Sequence, residues 1–333
     1  MDKKILLSHG GGGEETQSLI KDLFFKYFEN EILLKLEDAA SLHVSENIAF
    51  TTDSFTVSPL FFNGGNIGKL SIAGTINDLV MMGAKPLYLT CSFMIEEGFG
   101  YGDLETIVQS MQQEMAKSGV LIVAGDTKVV PKGGVDGLFI NTSGIGEIIY
   151  KGISAHNLKP NHSIIVSHEV GNHGACILAL REDLQLETEL KTDCASLWKP
   201  VEALIQAGIK IVALRDATRG GLSAVLNEWA QTSGVCIEVD EAKIPVAPQV
   251  RGICEMLGFE PYEFANEGTM LICVEAGEEE KTLEVLARFE ETKKAALIGS
   301  VNDKYKNRVI LNTPWGSSRF LEPPKGELLP RIC

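Results

Sequence analysis

The stretch INDLVMMGAKPLYL, residues 76–89, decides the fold class of this chain. Its first half belongs to a helix, because Ile72, Ile76, Leu79, Val80 and Gly83 recur at helical spacing. Its second half opens PLYLTCSFMI (86–95), a β-rich apolar run that reads as a strand. Moving outward, ENIAFTTDSF (46–55), GVLIVAGDT (119–127) and LFINTSGIGEI (138–148) read as further strands, and Leu104, Ile107, Val108, Met111 and Met115 as a second helix. Strands that alternate with helices define an α/β (α+β) domain over residues 1–150.

KGISAHNLKPNHS (151–163) breaks the pattern with Gly, Asn, His and Pro. A second αβ domain, 151–322, follows. Its strands are IIVSHEV (164–170) and TMLICVE (269–275), and its helices open at HGACILALRED, KPVEALIQAGI and GLSAVLNEWAQTSG. EEKTLEVLARFEE (279–291) is a helix with a solvated acidic face. From Pro323 to Cys333 three prolines and a glycine predict an extended tail, and ten residues in a polyproline-like conformation reach on the order of 30 Å.

The chain has 333 residues, 44% hydrophobic and 23% charged, as expected of a globular protein with ample core. A net charge of -15 argues against a nucleic-acid binder but leaves room for a nucleotide, whose phosphates a metal ion can bridge to carboxylates. No apolar run approaches the roughly 18 residues of a membrane span, and the N-terminus lacks the apolar stretch of a secretory signal. Seven cysteines, an odd number without CxxC pairs, fit a reducing cytoplasm. Cys333 is not four residues from the end, so it is no prenylation site.

Three motifs are decoys. GGNIGKLS (64–71) lacks the first Gly and the hydroxyl residue of a P-loop, having Asn63 and Leu70 there. His168 and His173 are five residues apart, not the four that place two ligands on one helix face. Gly10–Gly13 is no dinucleotide fingerprint. It is either a linker or a flap whose backbone N–H groups fold over phosphates.

The chemistry gathers around carboxylates. Asp38 (KLEDAASL), Asp53 (IAFTTDSF), Asp78 (INDLVMMG) and Asp126 (LIVAGDT) share a setting suited to Mg²⁺, with Asp53 and Asp126 each following an apolar strand. Lys128 stands two residues beyond Asp126 and offers the cation that phosphoryl transfer uses, with Thr127 between them. Asp216, Thr218 and Arg219 precede a Gly-Gly step at a helix start, a natural anion site. Glu267 lies between a polar loop and a buried strand.

INDLVMMGAKPLYL, GDTKVV, DATRGGL and NEGTML, in that order, resemble the ATP-binding superfamily of aminoimidazole ribonucleotide (AIR) synthetase, the PurM-like fold. Within it, SHGGGG at the start, HGACILAL in the middle and LPRIC at the very end resemble the HypE family of hydrogenase maturation proteins, over essentially the full chain. Asn172 stands where that pattern carries Asp, and Ala217 where it carries Pro.

The resemblance implies a PurM-like two-domain fold. The N-terminal domains of a homodimer pair into a barrel-like core, with ATP and Mg²⁺ in a cleft nearby, held by Gly11, Gly12, Asp38, Asp53, Asp78, Asp126, Thr127 and Asp216. It implies that a HypF-type carbamoyl transferase loads the thiol of Cys333, that ATP drives dehydration of the carbamoyl group to a thiocyanate, and that the CN group passes to iron on a HypC–HypD complex. Phosphorylating the amide oxygen turns it into a leaving group, a step that needs Mg²⁺, positioning and the positive charge of Lys128. Glu267, matched through NEG, is then the base that takes the proton from nitrogen. The alternatives are another ATP-dependent PurM-like enzyme, such as a small-molecule kinase or synthetase, and a non-catalytic carrier recognised by its tail. Selenophosphate synthetase fits poorly, because its glycine-rich segment carries a reactive Cys or Sec, whereas the first cysteine here is Cys91.

Overall fold

The structure is a computed structural model and describes residues 3–11, 13–35, 39–181 and 189–324. Near the N-terminus, α1 (Glu14–Leu19) and α2 (Lys26–Phe28) flank a π-helical stretch, Ile20–Phe25. The apolar runs then form β1 (Ile48–Phe55), a short hairpin β2 (Phe61–Phe62) and β3 (Gly65–Asn66), β4 (Ala84–Glu96), β5 (Leu121–Val130) and β6 (Leu138–Ile148). The four long strands make one sheet in the order β1-β6-β4-β5, antiparallel except for β4 and β5. Asp53 and Asp126 lie inside β1 and β5 rather than after them, because both strands continue past the aspartates.

Helices α3 (Ile67–Met81) and α4 (Tyr101–Ser118) cover the sheet. The side chain of Asn66 caps α3 by accepting N–H bonds from Gly68 (2.9 Å) and Lys69 (3.2 Å), the real role of the P-loop look-alike. A Cβ on Gly68 would lie 2.4 Å from the Ile107 carbonyl oxygen, so glycine lets the two helices touch.

The second sheet comprises β7 (Ser163–Val166), β8 (Ile211–Asp216), β9 (Cys236–Asp240), β10 (Met270–Val274), β11 (Ala296–Asn302), β12 (Arg308–Asn312) and β13 (Ser318–Phe320), in the order β13-β12-β9-β11-β7-β10-β8. β7 and β10 are buried at every position and sit within the sheet, as unbroken apolar runs should. Its helices are α5 (Asn172–Ala179), α6 (Trp198–Gln206), α7 (Gly221–Ser233), α8 (Pro248–Leu257) and α9 (Glu279–Leu286). One apolar core runs through both domains, from Ile72 and Met111 to Trp198 and Phe264. Helix α3 also packs on β8, which sets Asp78 of the first domain beside Asp216 of the second.

Candidate active site

Four carboxylates from four elements meet at this junction. Asp53 comes from β1, Asp78 from α3, Asp216 from the end of β8 and Glu267 from the loop before β10. Thr51 Oγ1 donates to Asp78 Oδ2 at 2.6 Å. Burial, then the charge of Asp78, pushes the Asp53 carboxyl up to about 6, while Arg219 acts against the rise. Burial, then Asp78, pushes Asp216 up to about 7, with Arg215 opposing. Glu267 is held well above the carboxylate range by burial first, then by Asp193, Asp216 and Asp53, and Arg219 again opposes. Its Oε1 is buried with no hydrogen-bond partner among the described residues. A cavity of about 330 Å³, lined by Thr51, Asp78, Arg215, Asp216 and Thr218, opens beside the cluster.

Crowded, proton-hungry carboxylates with one orphaned oxygen are the chemistry a hard cation satisfies. Among the described residues, no three His, Cys, Asp or Glu side chains converge closely enough to hold a metal by themselves. A Mg²⁺ here would therefore need phosphate oxygens as well, its usual habit.

The segment holding Glu267 is fixed by Asp193, which lies outside every motif read in the sequence, and by Asn77 and Asn266, which lie inside two of them but are not among the candidate residues. Asp193 accepts from Glu267 N (3.2 Å), Gly268 N (3.0 Å) and Thr269 Oγ1 (2.8 Å). Asn77 donates to the carbonyls of Ala195 (3.1 Å) and Glu267 (3.4 Å) and accepts from Leu197 N (2.8 Å). A Cβ on Gly268 would lie 1.9 Å from the Asp193 carbonyl oxygen, so only glycine fits after the glutamate. Asn266 ties three motifs together: it accepts from Gly171 N (2.7 Å) and donates to Ala217 O (2.8 Å) and Phe264 O (3.1 Å). The N–H of Ala217, which proline would lack, donates to Thr269 O at 2.9 Å. Asn172 is buried with its Oδ1 unpartnered among the described residues.

Asp126, Thr127 and Lys128 are at the other edge of the first sheet. Asp53 faces Thr142, Thr142 faces Cys91 and Cys91 faces Gly125, so Asp53 and Asp126 are three strand spacings apart, about 14 Å. The Asp126 carboxylate accepts from Thr127 N (2.9 Å) and pairs with Lys128 Nζ (3.1 Å), in the open. Beside them lies a cavity of about 240 Å³ whose walls include Gly10, Phe24, Phe28, Phe93, Thr127 and Lys128. The glycine-rich segment is thus brought to Lys128: a Cβ on Gly10 would lie 2.6 Å from Val129 N, and Gly11 follows, its N–H bonded to Ser8 O. Gly12, Asp38 and Cys333 lie outside the described residues.

The tail begins against α7, the helix that follows the Asp216 loop. Asn227 Nδ2 donates to Leu321 O (3.0 Å), Ser223 Oγ to Glu322 O (2.9 Å), and Gly220 lies against Pro324. No described helix is long and apolar enough to cross a membrane. The two histidines of HEVGNH do not form a pair: His173 is fully buried and bonds to Thr192 Oγ1 (2.8 Å).

Family models agree with this architecture. The N-terminal domain of AIR synthase related proteins matches residues 36–148, and their C-terminal domain matches 159–312. The chain is therefore an AIR synthase related two-domain protein. It is 46% identical over 339 residues to carbamoyl dehydratase HypE of Escherichia coli (strain K12), with 99% of each chain covered. A crystal structure of hydrogenase maturation protein HypE in complex with ATP superposes with a TM-score of 0.95 at 42% identity, covering 98% of this chain and 99% of that one. The HypE chain of a HypE–HypF complex superposes with a TM-score of 0.80 at 47% identity, covering 92% and 100%. The chain belongs to the HypE family of carbamoyl dehydratases.

Proposed function

We propose that this chain is an ATP-dependent carbamoyl dehydratase acting on a carbamoyl group carried by its own Cys333. The observation that carries the reading is the buried Glu267 carboxyl, its Oε1 unpartnered among the described residues, in a carboxylate cluster, with Leu321 and Glu322 at the start of the tail held by α7, the helix that follows the Asp216 loop. Cys333 is the ninth residue after Pro324, a span of up to about 30 Å, enough to bring the thiol to that cluster.

In the reaction the carboxamide oxygen of the S-carbamoyl group attacks the γ-phosphorus of ATP, and ADP leaves. The nitrogen then loses both of its protons, the C–O bond breaks and phosphate departs, leaving S–C≡N on Cys333. Water's elements end in the phosphate, so one ATP is hydrolysed for each nitrile. Glu267 takes one of these two protons, and the departing phosphate carries the other. Burial makes it a strong base once ionised, and Arg219 favours that ionised form. Lys128 neutralises charge on the phosphates, and Gly11 and Gly12 offer backbone N–H groups to them. Mg²⁺ would be held by Asp53 and Asp78 together with phosphate oxygens, with Asp38 and Asp126 joining only where two copies meet, and it would supply charge neutralisation for the transferred phosphoryl group.

The separation of Lys128 from the acid cluster supports a homodimer. β1 and β5 are the open edges of the first sheet, and Phe50 on β1 is 68% exposed. Closing two such sheets into a barrel-like core, β5 of one copy against β1 of the other, brings Lys128 and an acid cluster to one cleft. The phenylalanine-lined cavity then takes the adenine. A HypF-type transferase loads the thiol, and a HypC–HypD complex in the cytoplasm receives the CN group. Phosphate release tests the reading: carbamoylated protein mixed with ATP and Mg²⁺ releases one phosphate per Cys333, and Cys333→Ala releases none in the same burst. A burst that survives Cys333→Ala contradicts it.

A further inference from the structure

The point at which the tail leaves the protein is fixed, and beside it lies an exposed aromatic surface with no role in the chemistry above. Leu321, 3% exposed, bonds through its N–H to Val309 O (2.9 Å), and Asn227 and Ser223 hold Leu321 and Glu322. One residue upstream, β13 is the outermost strand of the seven-stranded sheet, paired among the described residues only with β12 and exposed at all three positions. Phe320 at its end is 47% exposed, Tyr305 is 54% exposed, and their rings meet edge to face at 5.9 Å. The Arg308 guanidinium lies 5.5 Å from the Phe320 ring centre. Trp315, in the turn joining β12 to β13, is 92% exposed.

A tryptophan with that exposure gains nothing for folding, and single exposed apolar residues need no explanation, but Tyr305, Phe320 and Arg308 touch one another and Trp315 projects from the turn that precedes the same strand. Those residue types dominate the energetic centres of protein interfaces, and an unpaired edge strand adds backbone donors and acceptors. Whatever protein modifies Cys333 has to sit within reach of a nine-residue tether rooted at Pro324, and the aromatic surface begins four residues before that root. Docking there converts delivery of the thiol into an intramolecular event at high effective concentration.

Resting on the function proposed above, we infer that Trp315, Phe320 and Tyr305, with the free edge of β13, form the docking surface for the transferase that loads the carbamoyl group onto Cys333. The surface serves loading and not dehydration, since it touches neither the acid cluster nor the Lys128 cavity.

The test uses the full-length chain, a HypF-type transferase, carbamoyl phosphate and ATP, comparing wild type with Trp315→Ala/Phe320→Ala. The variant is expected to bind the transferase at least tenfold more weakly and to load Cys333 slowly at low concentration. Once loaded at saturating transferase, it should dehydrate within twofold of the wild-type rate and keep its thermal shift with Mg-ATP. Binding within twofold of wild type overturns the inference, as does a parallel fall in dehydration or loss of the homodimer in place of transferase binding. Should the double variant not fold, Trp315→Ala alone, in an exposed turn, carries the same expected binding loss. A wild-type chain that takes no carbamoyl group overturns the function itself. A wild type that does, with variants that load equally well, overturns the docking surface alone.

Discussion

Asp193 holds Glu267 in place through the backbone, its carboxylate accepting the Glu267 N–H at 3.2 Å and the next N–H, from Gly268, at 3.0 Å. The same carboxylate, after burial itself, is the largest influence raising the affinity of Glu267 for a proton. One side chain therefore both positions the proposed base and tunes it.

Asp193→Ala removes an anionic acceptor from three donors at once. Hydrogen bonds to charged groups are worth about 1.5–3 kcal/mol each, so urea unfolding should show a loss of at least 3 kcal/mol. Single-turnover dehydration should fall more than tenfold, and Asp193→Asn, which keeps part of the acceptor set, should fall between.

Glu267→Gln keeps the shape and removes the base. General-base catalysis is worth about 10²–10⁴ in rate, and dehydration of loaded protein should fall by that factor. Stability should hold or rise, because a buried carboxyl lacking a partner is costly. Mg-ATP should still raise the melting temperature. Wild-type dehydration by the variant would remove Glu267 from the mechanism.

Gly268→Ala places a methyl 1.9 Å from the Asp193 carbonyl oxygen, so the loop must shift. Misplacing the base by about 1 Å costs on the order of 10² in rate. The expected result is that loss in dehydration with transferase loading of Cys333 unchanged.

Asp216 binds its proton more tightly folded, at about 7, than unfolded, near 3.8. Its neutral form is the one the fold favours. Below about pH 4 both states are protonated and the site costs nothing. As pH rises to about 7 the unfolded state gives up its proton first, and the folded state loses on the order of 4 kcal/mol. Asp53, raised to about 6, adds to the same trend. Melting in EDTA should fall from pH 5 to pH 8, and Asp216→Asn should flatten the slope by raising the melting temperature more at pH 8 than at pH 5.

Phe50→Glu places a charge on the exposed edge strand β1. If the proposed homodimer forms through this edge, light scattering should show dimer for the wild type and monomer for the variant, with Mg-ATP no longer shifting the variant's melting temperature.

The four long strands of the first domain, with α3 and α4, were legible because their apolar periodicity is set by the faces they bury. Asp53, Asp78, Asp216 and Glu267 stand out in the sequence as candidates, but their meeting does not, since it depends on α3 packing on β8 across 138 residues of chain. The separation of Asp126 from Asp53 follows from strand order, which places β1 and β5 at opposite edges and leaves no trace in local pattern. Asp193 was invisible for a related reason: it caps a loop 74 residues away. Asn77 sits inside the motif that decided the fold, and a buried Asn beside Asp78 was the one signal that could have drawn notice.

The most direct test is intact-protein mass spectrometry of wild type and Cys333→Ala. Each is incubated with a HypF-type transferase, carbamoyl phosphate and ATP, then with Mg-ATP alone. The proposed function predicts gain of one carbamoyl group and then loss of one water, in the wild type only. A wild type that gains no adduct, or an adduct that persists on Cys333→Ala, would contradict it.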